Sequence, residues 1–212
     1  MAKKRKRRVN KKKVFVFIIL PLIIIGVICY FMFFAGDKTT KIVKPKNTDT
    51  IKGYDYTLRE DATKYYKSLF KELKNTLESD EIDNDTYAEL VAKLFVADFY
   101  NLNNKVSKND VGGVQFVYED YRDDFTKYAT SSMYKSVESN VYGKRTQKLP
   151  IVSNVSTVKN ENMLFTYGDK TDVEAYNISF EITYKEDLGY QTKGTLTLIH
   201  NDKKLEVAVL EE

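Results

Sequence analysis

Residues Val14 to Ala35 form a run of 22 residues without a charge, and nine Lys or Arg crowd the thirteen residues before it (Lys3, Lys4, Arg5, Lys6, Arg7, Arg8, Lys11, Lys12, Lys13). At about 1.5 Å of rise per residue such a helix is roughly 33 Å long, enough for the ~30 Å hydrocarbon core of a bilayer. Its length, from Val14 through Leu20, Ile25 and Phe31 to Ala35, therefore predicts one membrane span. Basic residues stay on the cytoplasmic flank of a span. Nine precede it and four follow closely (Lys38, Lys41, Lys44, Lys46), so residues 1–13 read as a cytoplasmic tail and the C-terminal part as lying outside. The tail also suits anionic membrane lipid, each surface charge adding ~1 kcal/mol.

The rival reading is a cleaved signal peptide. That would need an apolar core of about 7–15 residues ending at a small-x-small site. Here the run continues through Tyr30-Phe31-Met32-Phe33-Phe34, and a cut after Ala35 would place bulky Phe33 two positions upstream of it. Cys29 follows Ile28 and is itself followed by apolar residues, which suits a buried thiol better than a lipid-modified one. Pro21 is tolerable within a span. As the only cysteine, Cys29 excludes an internal disulfide.

Without the tail, the +4 net charge becomes −5, with 25 basic residues against 30 acidic. A mildly acidic exported part repels phosphate backbones, so no direct nucleic-acid partner is expected for it. Lys outnumbers Arg 28 to six, the composition of an AT-rich genome such as that of a low-GC Gram-positive bacterium.

Residues 36–53 have linker composition, reaching on the order of 20–25 Å as a flexible coil. Residues 54–212 suit one domain with a sizeable core. Thr57-Leu58-Arg59-Glu60 has capping-box spacing and predicts a helix start, followed by a 3.6-residue stripe through Tyr65/Tyr66, Leu69/Phe70, Leu73 and Leu77. A second helix, opened by Thr86 and Glu89, carries Tyr87, Leu90/Val91, Leu94/Phe95 and Phe99. A third tract runs from Phe116 to Val137 with a break near Tyr121. Beyond it the period changes to two: Ile151–Thr157, Met163–Tyr167, Tyr176–Tyr184, Thr192–His200 and Lys203–Leu210 read as strands. Helices followed by an antiparallel meander predict an α+β domain, three helices on a curved sheet of four or five strands.

This order of parts resembles the cone-shaped nuclear-transport-factor-like fold. Val96-Ala97-Asp98-Phe99-Tyr100, Tyr118-Glu119-Asp120-Tyr121-Arg122-Asp123-Asp124-Phe125 and Met133-Tyr134 are similar to the second and third helices of its VirB-eight-like version, the bitopic assembly component of bacterial type IV secretion and conjugation machines. His200-Asn201-Asp202-Lys203 stands where that group often has an Asn-Pro-Leu-Gly-like turn. The resemblance implies a non-enzymatic scaffold that forms homo-oligomers and docks other envelope proteins. It also implies a cavity between sheet and helices.

The residues offer little for catalysis. His200 is the only histidine, so His-metal sites and nucleophile–His pairs lack companions. Gly112-Gly113 matches no phosphate-binding pattern and suits a sharp turn into the third helix. The acidic groups Asp80, Glu81, Asp83, Asp85 and Glu119, Asp120, Asp123, Asp124 read as solvated helix faces and caps. No metal or other cofactor is expected. Tyr65, Tyr121, Tyr128, Tyr176 and Tyr184 sit on inward stripes as core or pocket lining, each hydroxyl needing a partner. Tyr121, Phe125, Tyr176 and Phe180 are the expected lining of a cone cavity. Such a cavity leaves a second reading open, in which the domain captures a small apolar ligand or, with Asp98 or His200 facing it, works on one.

Overall fold

Two stretches that the sequence assigns to linker and to helix start pair with each other instead. Asn47–Ile51 (β1) runs antiparallel to Tyr56–Arg59 (β2), with Ile51 opposite Tyr56. The computed structural model describes residues 46–211. The expected span (Val14, Leu20, Ile25, Phe31, Ala35) and the nine basic residues of the tail lie outside the described residues. Among those described, no helix is long and apolar enough to cross a membrane.

The folded body thus begins at least as early as Asn47, not at Tyr54, and Thr57 opens no helix. Its N–H and hydroxyl both bond the Gln115 side chain, at 2.8 and 3.1 Å, which holds Thr57 in the extended strand. The helix begins six residues later, as α1 (Lys64–Leu77). There Thr63 accepts the Tyr66 N–H at 3.1 Å, and Tyr66, Leu69, Phe70, Leu73 and Leu77 form the buried stripe. The second helix, α2 (Asn84–Phe99), is capped by Asp83 rather than by Thr86, with Asp83 accepting from the N–H groups of Asp85 and Thr86 at 3.1 Å each. The third tract is broken as expected near Tyr121. Short 3₁₀ turns at Val114–Phe116 and Glu119–Tyr121 precede α3 (Arg122–Ser131), and the chain beyond Ser131 is not helical.

Five strands make the main sheet: β3 (Val152–Lys159), β4 (Met163–Tyr167), β5 (Lys170–Tyr184), β6 (Lys193–Asn201) and β7 (Lys204–Glu211). Their order is β3-β5-β6-β7, all antiparallel, and β4 also pairs with β5. β5 is longer than its alternating segment suggests, so β3 takes its Ile178–Tyr184 half and β4 its Lys170–Ala175 half. β3 and β4 therefore lie end to end along one neighbour, interrupted at 160–162. The fold is α+β, three helices and a five-stranded sheet, with α2 packed against strands β3, β5, β6 and β7.

The alternation of β5 places Tyr176, Ile178, Phe180 and Ile182 in the core, and Glu181 outward. Phe180 sits opposite Gly194, where a Cβ would come within 2.6 Å of its ring. Its other neighbour is the Tyr100 ring at 5.8 Å. Phe180→Asp therefore loses a buried ring and leaves an unpaired charge, and should cost about 4 kcal/mol or more. Glu181→Lys, which sets two cations opposite each other at exposed Lys193, should cost less than about 1 kcal/mol. Urea melts of the two variants check this, and equal effects would contradict the β5 register.

Candidate functional site

The most heavily built polar site lies where the end of α2 meets the loop that follows it. Lys105 is fully buried, and its Nζ bonds Asp98 Oδ1 at 2.5 Å. The second Asp98 oxygen accepts the Gly113 N–H at 2.7 Å. Gly112 is required here by proximity: a Cβ would overlap the Asp98 carbonyl oxygen and come within 2.7 Å of Lys105 Nζ. The same loop is held by Tyr134, whose hydroxyl accepts the Gly112 N–H at 3.0 Å and donates to the Phe99 carbonyl at 2.5 Å.

A second ion-pair group adjoins it. Arg59 on β2 makes a two-pronged contact with Asp61 at 3.0 and 2.8 Å and a further bond to Asp110 at 2.9 Å. Asp110 also accepts the Val106 N–H. Burial works against charge on Asp98 and on Asp110, but cationic partners and backbone N–H groups outweigh it. For Asp98 these are Lys105 and Gly113, and for Asp110 they are Arg59 and Val106. Both carboxyls end below the usual carboxylate range, so neither can serve as a proton donor at neutral pH.

His200, the lone histidine, is likewise engaged. Its Nδ1 lies 2.9 Å from Asp172 Oδ2, and the same oxygen accepts the His200 backbone N–H at 2.7 Å. Burial pushes the Asp172 carboxyl up, and the N–H groups of His200 and Glu174 bring it below its ordinary value. An imidazole braced by a carboxylate is half of a hydrolytic triad. Its ring stands 5.5 Å from that of Tyr176, and no Ser or Thr hydroxyl is bonded to it among the described residues.

The interior expected to hold a cavity is filled by aromatic rings. Phe99 contacts Phe95, Tyr100, Phe125 and Tyr134, with ring centroids 5.0 to 5.6 Å away. All four expected lining residues belong to the main core cluster, Tyr176 and Phe180 buried within it and Tyr121 and Phe125 packed against it. Tyr121 packs on Tyr118, Tyr176 on His200 and Phe180 on Tyr100, while Phe125 borders an opening. That opening is a groove of about 510 Å³ lined by Phe99, Asp124, Phe125, Tyr128, Met133 and Leu210. Tyr128 is 67 % exposed, contrary to the inward position its spacing predicts. Neither Asp98 nor His200 lines this groove.

Sequence reasoning missed Lys105, Arg59, Asp110 and Asp172 as structural partners, because a lysine or aspartate in a polar loop reads as solvated. The Gly112-Gly113 pair was the one available signal of a close approach there. No family model, no curated protein and no solved structure matches the chain.

Removing Lys105 strands a buried carboxylate, so Lys105→Met should lower stability by roughly 3–5 kcal/mol. For the unaltered protein the sign follows from the depressed carboxyls. Their stabilisation is complete above the unfolded carboxylate value of about 4 and is lost as the pH falls through and below it. Melts from pH 7 to pH 2 check both statements; a variant as stable as the parent would contradict the role given to this pair.

Proposed function

We propose that this protein is a single-pass, membrane-anchored scaffold of the bacterial cell envelope, with a cytoplasmic N-terminus and its α+β domain outside, acting through contacts with other envelope proteins. The supporting observation is where the side chains are committed. Asp98 and His200, the polar groups best placed for chemistry, are held by Lys105, Gly113 and Asp172. Large apolar side chains stand on the surface instead, among them Tyr128, Leu164 and Val173 at 64 to 67 % exposure. Exposed apolar groups of this kind mark contact sites when they gather in one area.

The finer assignment is a cone-shaped nuclear-transport-factor-like domain in a secretion or conjugation apparatus of the type IV kind. It draws on the basic-tailed apolar segment, the helix-then-sheet order and the aromatic spacing from Val96 to Tyr134. Capture of a small ligand inside the domain has less support, since the rings around Phe99 occupy that space. Membrane lipid at the tail and protein at the domain are the partners this reading requires, and it requires no nucleic acid.

Crosslinking in intact cells tests the proposal. Adducts should join the domain to itself or to other envelope proteins, and external protease should digest the domain while sparing the tail. Recovery of monomer alone, or a domain shielded from external protease, would contradict it.

A further inference from the structure

The loop from Lys105 to Gly113 is fixed at both ends by one side chain. Asp98 takes the Lys105 ammonium on one oxygen and the Gly113 N–H on the other. Within the loop, Asp110 donates its N–H to the Ser107 carbonyl at 3.0 Å, and its carboxylate accepts the Val106 N–H and Arg59 Nη1.

A pocket of about 300 Å³ opens beside this loop, with Arg59, Asn109, Asp110, Val111, Val114 and Thr126 among the residues that line it. The first of these comes from β2, the last from α3, and the rest from the loop and the turn after it. The bonds to Asp98 and Asp110 hold those walls in place before anything binds, which lowers the ordering cost of binding. The volume is at the small end of ligand sites, ~300–1,000 Å³, and suits one compact ring.

Charge at the pocket selects the class of ligand. Arg59 lies between Asp61 and Asp110, one cation against two carboxylates, a net −1 that repels an anion such as phosphate. A cation gains little, because both carboxylates already accept from Arg59 and Asp110 also accepts from the Val106 N–H. Among the described residues no aromatic ring lines the pocket, which leaves a nucleobase nothing to stack on. The groups that remain are neutral and work in both directions. The Asn109 amide and the Thr126 hydroxyl can each donate and accept, and among the described residues neither side chain bonds another protein group. Val111 and Val114 add apolar walls beside them.

We propose that this pocket binds a neutral saccharide unit, whose hydroxyls exchange hydrogen bonds with Asn109 and Thr126. An N-acetyl substituent adds a methyl group for the two valines, so an N-acetylated sugar fits better than a plain hexose. A peptide backbone offers the same mixture of donors and acceptors but strings it along an extended chain, whereas this pocket suits a compact ring. Phe99 and its neighbouring rings do not line the site, and it is independent of the protein contacts proposed above.

The test titrates N-acetylglucosamine, glucose, inorganic phosphate, butylamine and an N-acetylated alanine methylamide (a minimal peptide) into the full chain, held in a detergent without a sugar headgroup. Isothermal titration reads the binding. N-acetylglucosamine should bind saturably at one site, and glucose more weakly. Asn109→Ala and Thr126→Val each remove one hydrogen-bonding group and should weaken that binding about three- to tenfold, with melting curves like the parent's. Thr130→Val, one turn along α3 where the hydroxyl bonds the Lys127 carbonyl, should bind as the parent does. Absence of saturable sugar binding would overturn the proposal, as would sugar binding indifferent to Asn109→Ala and Thr126→Val. Phosphate, butylamine or the minimal peptide binding in place of the sugar would overturn the ligand class. Each of these failures leaves the protein-contact reading standing, since crosslinking tests that separately.

Discussion

Helix α2 is buried almost all round, and the rest of the domain is arranged to cover it. Leu90, Val91, Leu94, Phe95 and Phe99 are buried together with Ala88, Ala92 and Ala97, so apolar residues fall on every face. A helix of that kind cannot lie on a surface. α1 covers one side and strands β3, β5, β6 and β7 cover another. The small residues matter for this, because alanines let the neighbouring elements approach closely. Phe95 and Phe99 then fill the wider space under Phe125 and Tyr134.

Burying so much backbone and so many tyrosines creates a second requirement, that each polar atom find a partner. Tyrosine meets it by giving a ring to the core and a hydroxyl to a strand edge. Tyr56 and Tyr87 bond each other at 2.9 Å and close the Leu205 backbone between them. Burial pushes the Tyr87 hydroxyl up to about 12, so it remains protonated under physiological conditions. Glu206, almost fully buried on β7, is paired with Arg122 at 2.9 Å and Lys204 at 3.1 Å, which ties the start of α3 to the sheet. Among the described residues no buried side-chain polar atom lacks a partner.

Periodicity made the strongly patterned elements legible. The stripe of Tyr66, Leu69, Phe70, Leu73 and Leu77 and the alternation of Tyr176, Ile178, Phe180 and Ile182 both face the core. What could not be read depends on partners distant in sequence. Thr57 matches a helix cap locally, yet Gln115, 58 residues away, draws its N–H and hydroxyl into a strand contact. The polar residues of β1 carry no alternation that would separate them from linker, and their strand exists because β2 is there to pair with. Inward spacing likewise identifies Tyr121, Phe125, Tyr176 and Phe180 as apolar-facing without saying which rings fill the space between them. Lys105 and Asp98 are only seven residues apart, but nothing in the composition of that loop marks the lysine as buried.

The resulting body pairs its buried side-chain polar atoms internally and leaves Tyr128, Leu164 and Val173 exposed on its surface. Hydrogen exchange on the full chain, held in a membrane and then dispersed as monomer in detergent, tests whether that surface is used. The account predicts that the α2 amides exchange equally slowly in both, while surface segments gain protection in the membrane. An identical exchange map in the two states would contradict it.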